Sequence, residues 1–570
     1  MLLRILLGFP FVYLLSGFPL ARLFLPEEKT ISLKLVLTSF VCSLFLTYPA
    51  AVLTTIFEGQ STAAIYSVHL PRSLFSLALI SLLTFLVLLH SNKNWWKLSL
   101  PKLTKAHVIL TLIIALYSFF VFWNLGRADV VGDDFDLGYQ AYNLHDGIQA
   151  ARRAYILSFA THPPLFMTIK HFGMQLFSPF GLETLSGWMF RGVEGMMGIG
   201  TILATFLLAE KYVSRKTALI AALLLAVNNY LIFFGRYYER EIYYLPFIIL
   251  AFYYSLENKK TVLTGFLLGC ALLIKASAVI AIPPVVLMLW LNDTSFKKIF
   301  KFLFMVLVIY SPIIVFNILM FVNTGYLDGT FSRLFRVYHP LNTGVPPNSY
   351  LVNPVTSFFL LADLYGWPVF FFFLAAIPFI KLNNVNKLLM AMLVVSVVFF
   401  MFSPMRAYYL IIFTIPLVVF AAELISRSKL LILPLGIVLV FSTVYSFNSN
   451  LISQALANQY NDYGSEGNPG ILAKNLFHSD YSYAAAAFSP ERGWKSIKAR
   501  LDKNYQSGDC LVFGQSDLDL PVRYYLRTHD LVKLAFLGRS YKPGYQMCDD
   551  NSSGRKVILY YDLSGNVNLK

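Results

Sequence analysis

Apolar runs recur along the first 447 residues with only short polar connections between them, and every second connection is rich in lysine and arginine. A run of about 20 such residues is long enough to cross a hydrocarbon core of about 30 Å as a helix. Because lipid offers no partner to backbone groups, only helices can make such crossings here. The expected spans are 2–24, 35–56, 71–90, 106–124, 187–209, 217–235, 242–256, 261–275, 277–291, 301–322, 364–380, 387–403, 407–425 and 429–447, or about fourteen in all. Composition agrees: 57% of the 570 residues are hydrophobic and 13% are charged, against roughly half and a quarter in a soluble domain. The expected fold is therefore an all-α polytopic membrane protein. Arg4 ahead of an apolar stretch resembles a signal peptide, but no small-residue cleavage site follows and a second span comes directly after. The run from Leu2 to Phe24 reads as a retained first helix.

The net charge of +16 does not point to nucleic acid, since the basic residues lie in connections between apolar runs and form no contiguous basic domain. They fall at Lys93, Lys97, Lys102 and Lys105, at Lys211, Arg215 and Lys216, and at Lys259 and Lys260. The series continues at Lys297, Lys298 and Lys301, at Lys381 and Lys387, and at Arg427 and Lys429. The positive-inside rule makes this face cytoplasmic. Cys42 and Cys270, inside apolar runs, read as small core residues. Cys510 and Cys548 lie in a polar region, where a disulfide in an oxidising compartment and two unpaired thiols are both open.

The opposite face receives the long loops Gly126–Ser186 and Asn323–Asp363, the turn Gly235–Glu241, the corner at Lys275, the turn Ser403–Arg406 and everything after Phe447. Loops of that length in a compact fold are usually functional. The sequence thus divides into an N-terminal extension of about three helices (1–105), a transmembrane module (106–447) and a polar tail (448–570). Within the tail, a helical stretch around Trp494–Tyr505 and strand-like segments Cys510–Phe513 and Lys556–Tyr561 suggest a small extracytoplasmic α/β domain.

Candidate chemistry gathers on that face. Asp129, Asp133, Asp134 and Asp136 follow the fourth span. Adjacent carboxylates repel, so a cation or bound substrate would offset their cost, and one of them is suited to take a proton from an attacking hydroxyl; a solvated acidic loop is the alternative. Thr161-His162-Pro163-Pro164-Leu165 places an imidazole at a helix start, where anions bind readily. The turn holding Arg236, Glu239, Arg240 and Glu241 reads as a site or as a structural ion-pair cluster. Lys275 interrupts an apolar passage, to snorkel or to meet a phosphate. Arg406 is suited to bidentate phosphate binding, beside Tyr408 and Tyr409, although an aromatic belt is the simpler account of that turn. Tyr338 and His339, in the second long loop, complete the candidates for substrate contact.

Taken in order, Asp133-Asp134, His162-Pro163-Pro164-Leu165, Arg236 with Glu241, Lys275, and Arg406 with Tyr408-Tyr409 ahead of Pro416 resemble the GT-C membrane glycosyltransferases, in particular the branch of protein O-mannosyltransferases and aminoarabinose transferases. The resemblance covers roughly Ala106 to Phe447. It implies transfer of one sugar from a polyprenyl-phosphate donor to a lipid, glycan or protein hydroxyl outside the cytoplasm. It further implies Asp133 and Asp134 as the catalytic pair, one of them the base for the acceptor hydroxyl, His162, Lys275, Arg406, Tyr408 and Tyr409 around the donor phosphate, and Arg236, Glu239, Glu241, Tyr338 and His339 around the rest of the substrate. This chain has Glu241 where relatives often carry an aspartate. No cofactor is required by this reading, and one acidic pair leaves open whether a divalent cation on Asp133 and Asp134 assists. A transporter or flippase is the main alternative, but it would keep its polar residues on broken helices near the midplane. A membrane anchor presenting the tail to partners would not need these charges to converge.

Overall fold

The computed structural model describes residues 2–58, 70–91, 97–123, 125, 163–177, 187–236, 240–257, 260–291, 295–325, 327, 367–402, 407–431, 433–436, 510–513, 556–561 and 567–569. The first predicted span is one helical passage, Leu6–Phe24 within it being long and apolar enough to cross a membrane: α1 (Leu2–Pro10) passes through a π-helical turn, Phe11–Leu15, before α2 (Phe18–Phe24). Long helices follow as α3 (Leu33–Glu58), α4 (Leu70–Ser91) and α5 (Lys105–Phe122). The start of α5 is fixed by Thr104 and His107, with the Thr104 backbone N–H donating to His107 Nδ1 at 3.0 Å and satisfying a donor that the first turn leaves open.

The module continues with α6 (Pro164–Phe177), α7 (Gly187–Tyr212), α8 (Arg215–Ala226) and α9 (Asn229–Arg236). A single span predicted over 217–235 is instead a pair bent by 62°. Asn228 makes the second start possible, its side-chain oxygen accepting from the Leu231 N–H at 2.9 Å. Next come α10 (Glu241–Ser255), α11 (Thr261–Ile274), α12 (Ile282–Leu291) and α13 (Phe296–Thr324). At Lys275 the backbone turns extended, φ −157° and ψ 134°, which ends α11 ahead of a 3-10 turn over Ala276–Ala281. The helices α14 (Trp367–Ala376), α15 (Asn384–Phe402) and α16 (Thr414–Arg427) complete the described bundle. Seven of the described helical segments are long and apolar enough to cross a membrane, or eight counting the bent pair. The sequence total of about fourteen also counts shorter apolar elements such as Thr261–Ile274 and Asn384–Phe399.

Packing follows from which helices are apolar all round and which on one side only. Every residue of α10 is buried, and it packs against α7, α11, α9 and α12. By contrast α4, α5 and α13 expose Leu82, Leu86, Leu112, Phe304 and Ile318, the pattern of helices that face lipid. Cys42 and Cys270 are both buried and unpaired with each other, as the apolar runs around them predict.

The basic connections do share one face. Backbone hydrogen bonds join Ile31 N–H to Ser99 and Ser99 N–H to Lys29, while Lys34 reaches Glu257 at 3.3 Å and Lys260 reaches Glu27 at 2.6 Å. Lys211 also pairs with Glu257. Lys216 donates to the Ser426 carbonyl at 2.5 Å, and Asn386 donates to Glu423 at 2.9 Å.

In the tail, β1 (Cys510–Phe513) pairs in parallel with β2 (Lys556–Tyr561), which pairs antiparallel with β3 (Val567–Leu569). The two strands expected from sequence have the predicted bounds. The helical stretch expected over Trp494–Tyr505 and the residue Cys548 lie outside the described residues.

Candidate active site

At the face opposite the lysines, the ends of α5, α7, α9, α10 and α11 bring charged side chains together. Arg236 is the last residue of α9. Its guanidinium donates to the carbonyls of Phe120 at 2.8 Å, Val121 at 2.9 Å and Trp123 at 2.6 Å. These are carbonyls that the end of α5 leaves without intrahelical partners, and a cation there also meets the negative end of the helix dipole. Close approach of α9 and of α7 to α5 depends on glycine. A Cβ on Gly235 would stand 2.5 Å from the Tyr117 hydroxyl, and one on Gly198 would stand 1.8 Å from it. Arg236 thus works as a C-cap for a neighbouring helix.

Glu241 opens α10 and is fully buried; its carboxylate pairs with Lys275 at the end of α11. The lysine is 12% exposed, so it neither snorkels freely to headgroups nor stands as an isolated cation. This pair joins two helix ends at the place where the chain leaves α11. A second, deeper set was not anticipated. Lys170 of α6 pairs with Glu194 of α7, both with no exposure, and the Tyr243 hydroxyl of α10 donates to the same carboxylate oxygen at 2.9 Å. The other oxygen of Glu194 accepts no hydrogen bond among the described residues. Arg191 and Arg240 are buried nearby in sequence. The missed signal was an ionisable residue inside an apolar segment, which marks a functional position in a membrane chain by default; Lys170, Arg191 and Glu194 all meet it.

Asp133, Asp134, His162, Glu239, Tyr338, His339 and Arg406 lie outside the described residues. Tyr408 and Tyr409 belong to a 3-10 helix over Ala407–Phe413, which packs against α10. No group of three His, Cys, Asp or Glu side chains that could hold a metal ion occurs among the described residues.

The bundle is similar to ArnT from Cupriavidus metallidurans. The crystal structure of that protein bound to undecaprenyl phosphate aligns at a TM-score of 0.51 and 14% identity, over 74% of this chain and 84% of that one. The chain has the GT-C fold of membrane glycosyltransferases. The apo structure of ArnT gives the same TM-score of 0.51 at 16% identity, over 74% and 85% of the two chains. The apo oligosaccharyltransferase of Archaeoglobus fulgidus aligns at a TM-score of 0.39 and 12% identity, over 70% of this chain and 58% of that one. Residues 161–316 match the family model described as dolichyl-phosphate-mannose-protein mannosyltransferase. A search of curated protein sequences finds no significant match.

Proposed function

We propose that the protein is a glycosyltransferase that moves one sugar from a polyprenyl-phosphate donor to a hydroxyl of a lipid, glycan or protein on the extracytoplasmic face. The observation that carries the reading is a coincidence of position. The segment matched by the mannosyltransferase model, 161–316, contains Arg236, Glu241 and Lys275, and these stand at helix ends on one face, opposite the lysine-rich connections. The ArnT to which the fold is similar binds undecaprenyl phosphate, a ligand whose headgroup would lie at such a boundary. The lysine-rich face is cytoplasmic by the positive-inside rule, which puts the active face outside.

The chemistry is a single displacement. The acceptor oxygen attacks the anomeric carbon as the bond from that carbon to the phosphate oxygen breaks, and the configuration inverts. The acceptor proton passes to Asp133 or Asp134, and the electron pair leaves with polyprenyl phosphate. Phosphate is a good leaving group, so it needs positive charge more than a proton. Lys275, Arg406 and His162 supply that charge. Glu241 holds the Lys275 ammonium at the end of α11, Tyr408 and Tyr409 join these groups around the phosphate, and Glu239, Tyr338 and His339 shape the surroundings of the sugar and acceptor. The placement of Arg236 and Lys275 at helix ends, rather than along a midplane path, favours an enzyme over a transporter.

The test is release of polyprenyl phosphate from a radiolabelled polyprenyl-phosphate hexose by purified protein in detergent, with a panel of hydroxyl acceptors. The parent is expected to release it. Asp133→Asn or Asp134→Asn is expected to slow release by about 100-fold or more, the usual contribution of a positioned base. Equal rates in the parent and both variants would remove the acidic pair from the chemistry.

A further inference from the structure

Three successive residues in α6 are held by polar contacts from three directions. Thr168 shares a hydroxyl contact of 3.1 Å with Thr47 of α3, the Ile169 carbonyl accepts from the Tyr13 hydroxyl at 2.8 Å, and Lys170 pairs with Glu194 of α7. Residues 163–174 are all buried, and α6 packs against α1, α3, α4, α7 and α11. The N-terminal extension is thus part of the wall around α6 and not an appendage.

An ion pair with no exposure is an inefficient way to stabilise a bundle, because removing both charges from water offsets most of their attraction, and well-packed apolar side chains do as well or better. What such a pair supplies is direction. Glu194 receives Lys170 from α6 and Tyr243 from α10 on one oxygen, so the three helices meet at a single atom. Tyr243 is one turn or less from Glu241, which holds Lys275.

We infer that Lys170, Glu194 and Tyr243 are positioning residues for the transferase, fixing the first turn of α10, and with it the Glu241–Lys275 pair, relative to α6. This rests on the proposed function above. Removal of these residues displaces the phosphate-binding charge, and displacements on the scale of an ångström cost about 100-fold in rate.

The experiment compares the parent with K170M/E194L, K170R and Y243F. Detergent-solubilised protein is followed by thermal unfolding and by donor kinetics with a radiolabelled polyprenyl-phosphate hexose. K170M/E194L is expected to unfold at or above the parent temperature yet lose about tenfold or more in kcat, with KM for the donor changed less than about threefold. K170R keeps the charge and is expected to recover most of the rate, while Y243F, which loses one hydroxyl, is expected to show a smaller loss of kcat. If K170M/E194L folds and turns over like the parent, the inference fails. If it does not fold, Y243F decides alone: a folded Y243F with parental kcat overturns the positioning role. A parent that releases no polyprenyl phosphate from any donor sinks the transferase reading itself, a result distinct from either.

Discussion

The two faces of the bundle use the same pairs of charged residues to different ends. On the lysine-rich face, Lys34, Lys211, Lys260, Glu27, Glu28 and Glu257 form a shared network in which Glu27 is 51% and Lys211 42% exposed. Water competes for these groups, and each carboxylate or ammonium can find another partner. On the opposite face, Glu194 and Lys170 have no exposure and Glu241 has none against a Lys275 of 12%. A pair that can be rehydrated ties helix ends together at small gain, whereas a pair sealed in the bundle makes each partner indispensable to the other. Placement, more than residue type, separates fastening from function.

The contrast is sharpest in activity. On the proposed function, Lys275→Met is expected to lower kcat/KM for the donor by about 100-fold or more, since it would remove a fixed charge from the leaving phosphate. Lys211→Ala, on the other face, is expected to leave kcat/KM within about twofold of the parent, because exposed pairs carry little energy. Similar losses in both, measured by donor-release kinetics, would erase the distinction.

Stability should divide the same way. Glu241→Gln leaves the Lys275 ammonium without its carboxylate and is expected to cost about 3–5 kcal/mol, read by thermal or SDS unfolding in mixed micelles. Arg236→Met, which strips three carbonyls at the end of α5 of their donor, should cost about 3 kcal/mol. Lys211→Ala should stay within about 1 kcal/mol. A Glu241→Gln variant as stable as Lys211→Ala would contradict the buried-pair account.

The smallest effect is a pH dependence on the lysine-rich face. Burial pushes the Glu27 carboxyl up, but the hydrogen bond from Lys260, a backbone donor and the charges of Lys260 and Lys34 outweigh it, holding the carboxyl below its ordinary value. A depressed carboxyl stabilises the folded state above its unfolded pKa of about 4.3 and loses that contribution as pH falls through the folded value. Glu27→Gln is therefore expected to unfold at a slightly lower temperature than the parent near neutral pH, with the gap closing in acid. A gap that persists unchanged in acid would assign the effect to something other than this charge.

Much of this architecture is written locally. Span positions and the sharing of one face by the basic connections follow from runs of apolar residues and the spacing of lysines, and β1 and β2 follow from short β-branched and aromatic runs bounded by polar residues. The corner at Lys275 is also visible, since a charge interrupting an apolar passage marks a helix end. Partners are not written locally. Nothing in the turn after Phe234 says that Arg236 will cap α5 or that Glu241 will find Lys275, because both choices depend on which helices become neighbours. The bend between α8 and α9 was hidden because the apolar run continues through it, and the π-helical turn after Pro10 in the first span was hidden in the same way. Lys170 and Glu194 were legible in principle, as charges inside apolar segments, but each was masked by the hydrophobic average around it.

A structure of the protein with a bound polyprenyl-phosphate sugar bears most directly on the claim that charges scattered through the chain form one transfer site. The phosphate is expected in contact with Lys275 and Arg406 at the end of α11, with Asp133 or Asp134 on the far side of the anomeric carbon. A phosphate bound at the lysine-rich face, or a carboxylate pair remote from the sugar, would contradict it.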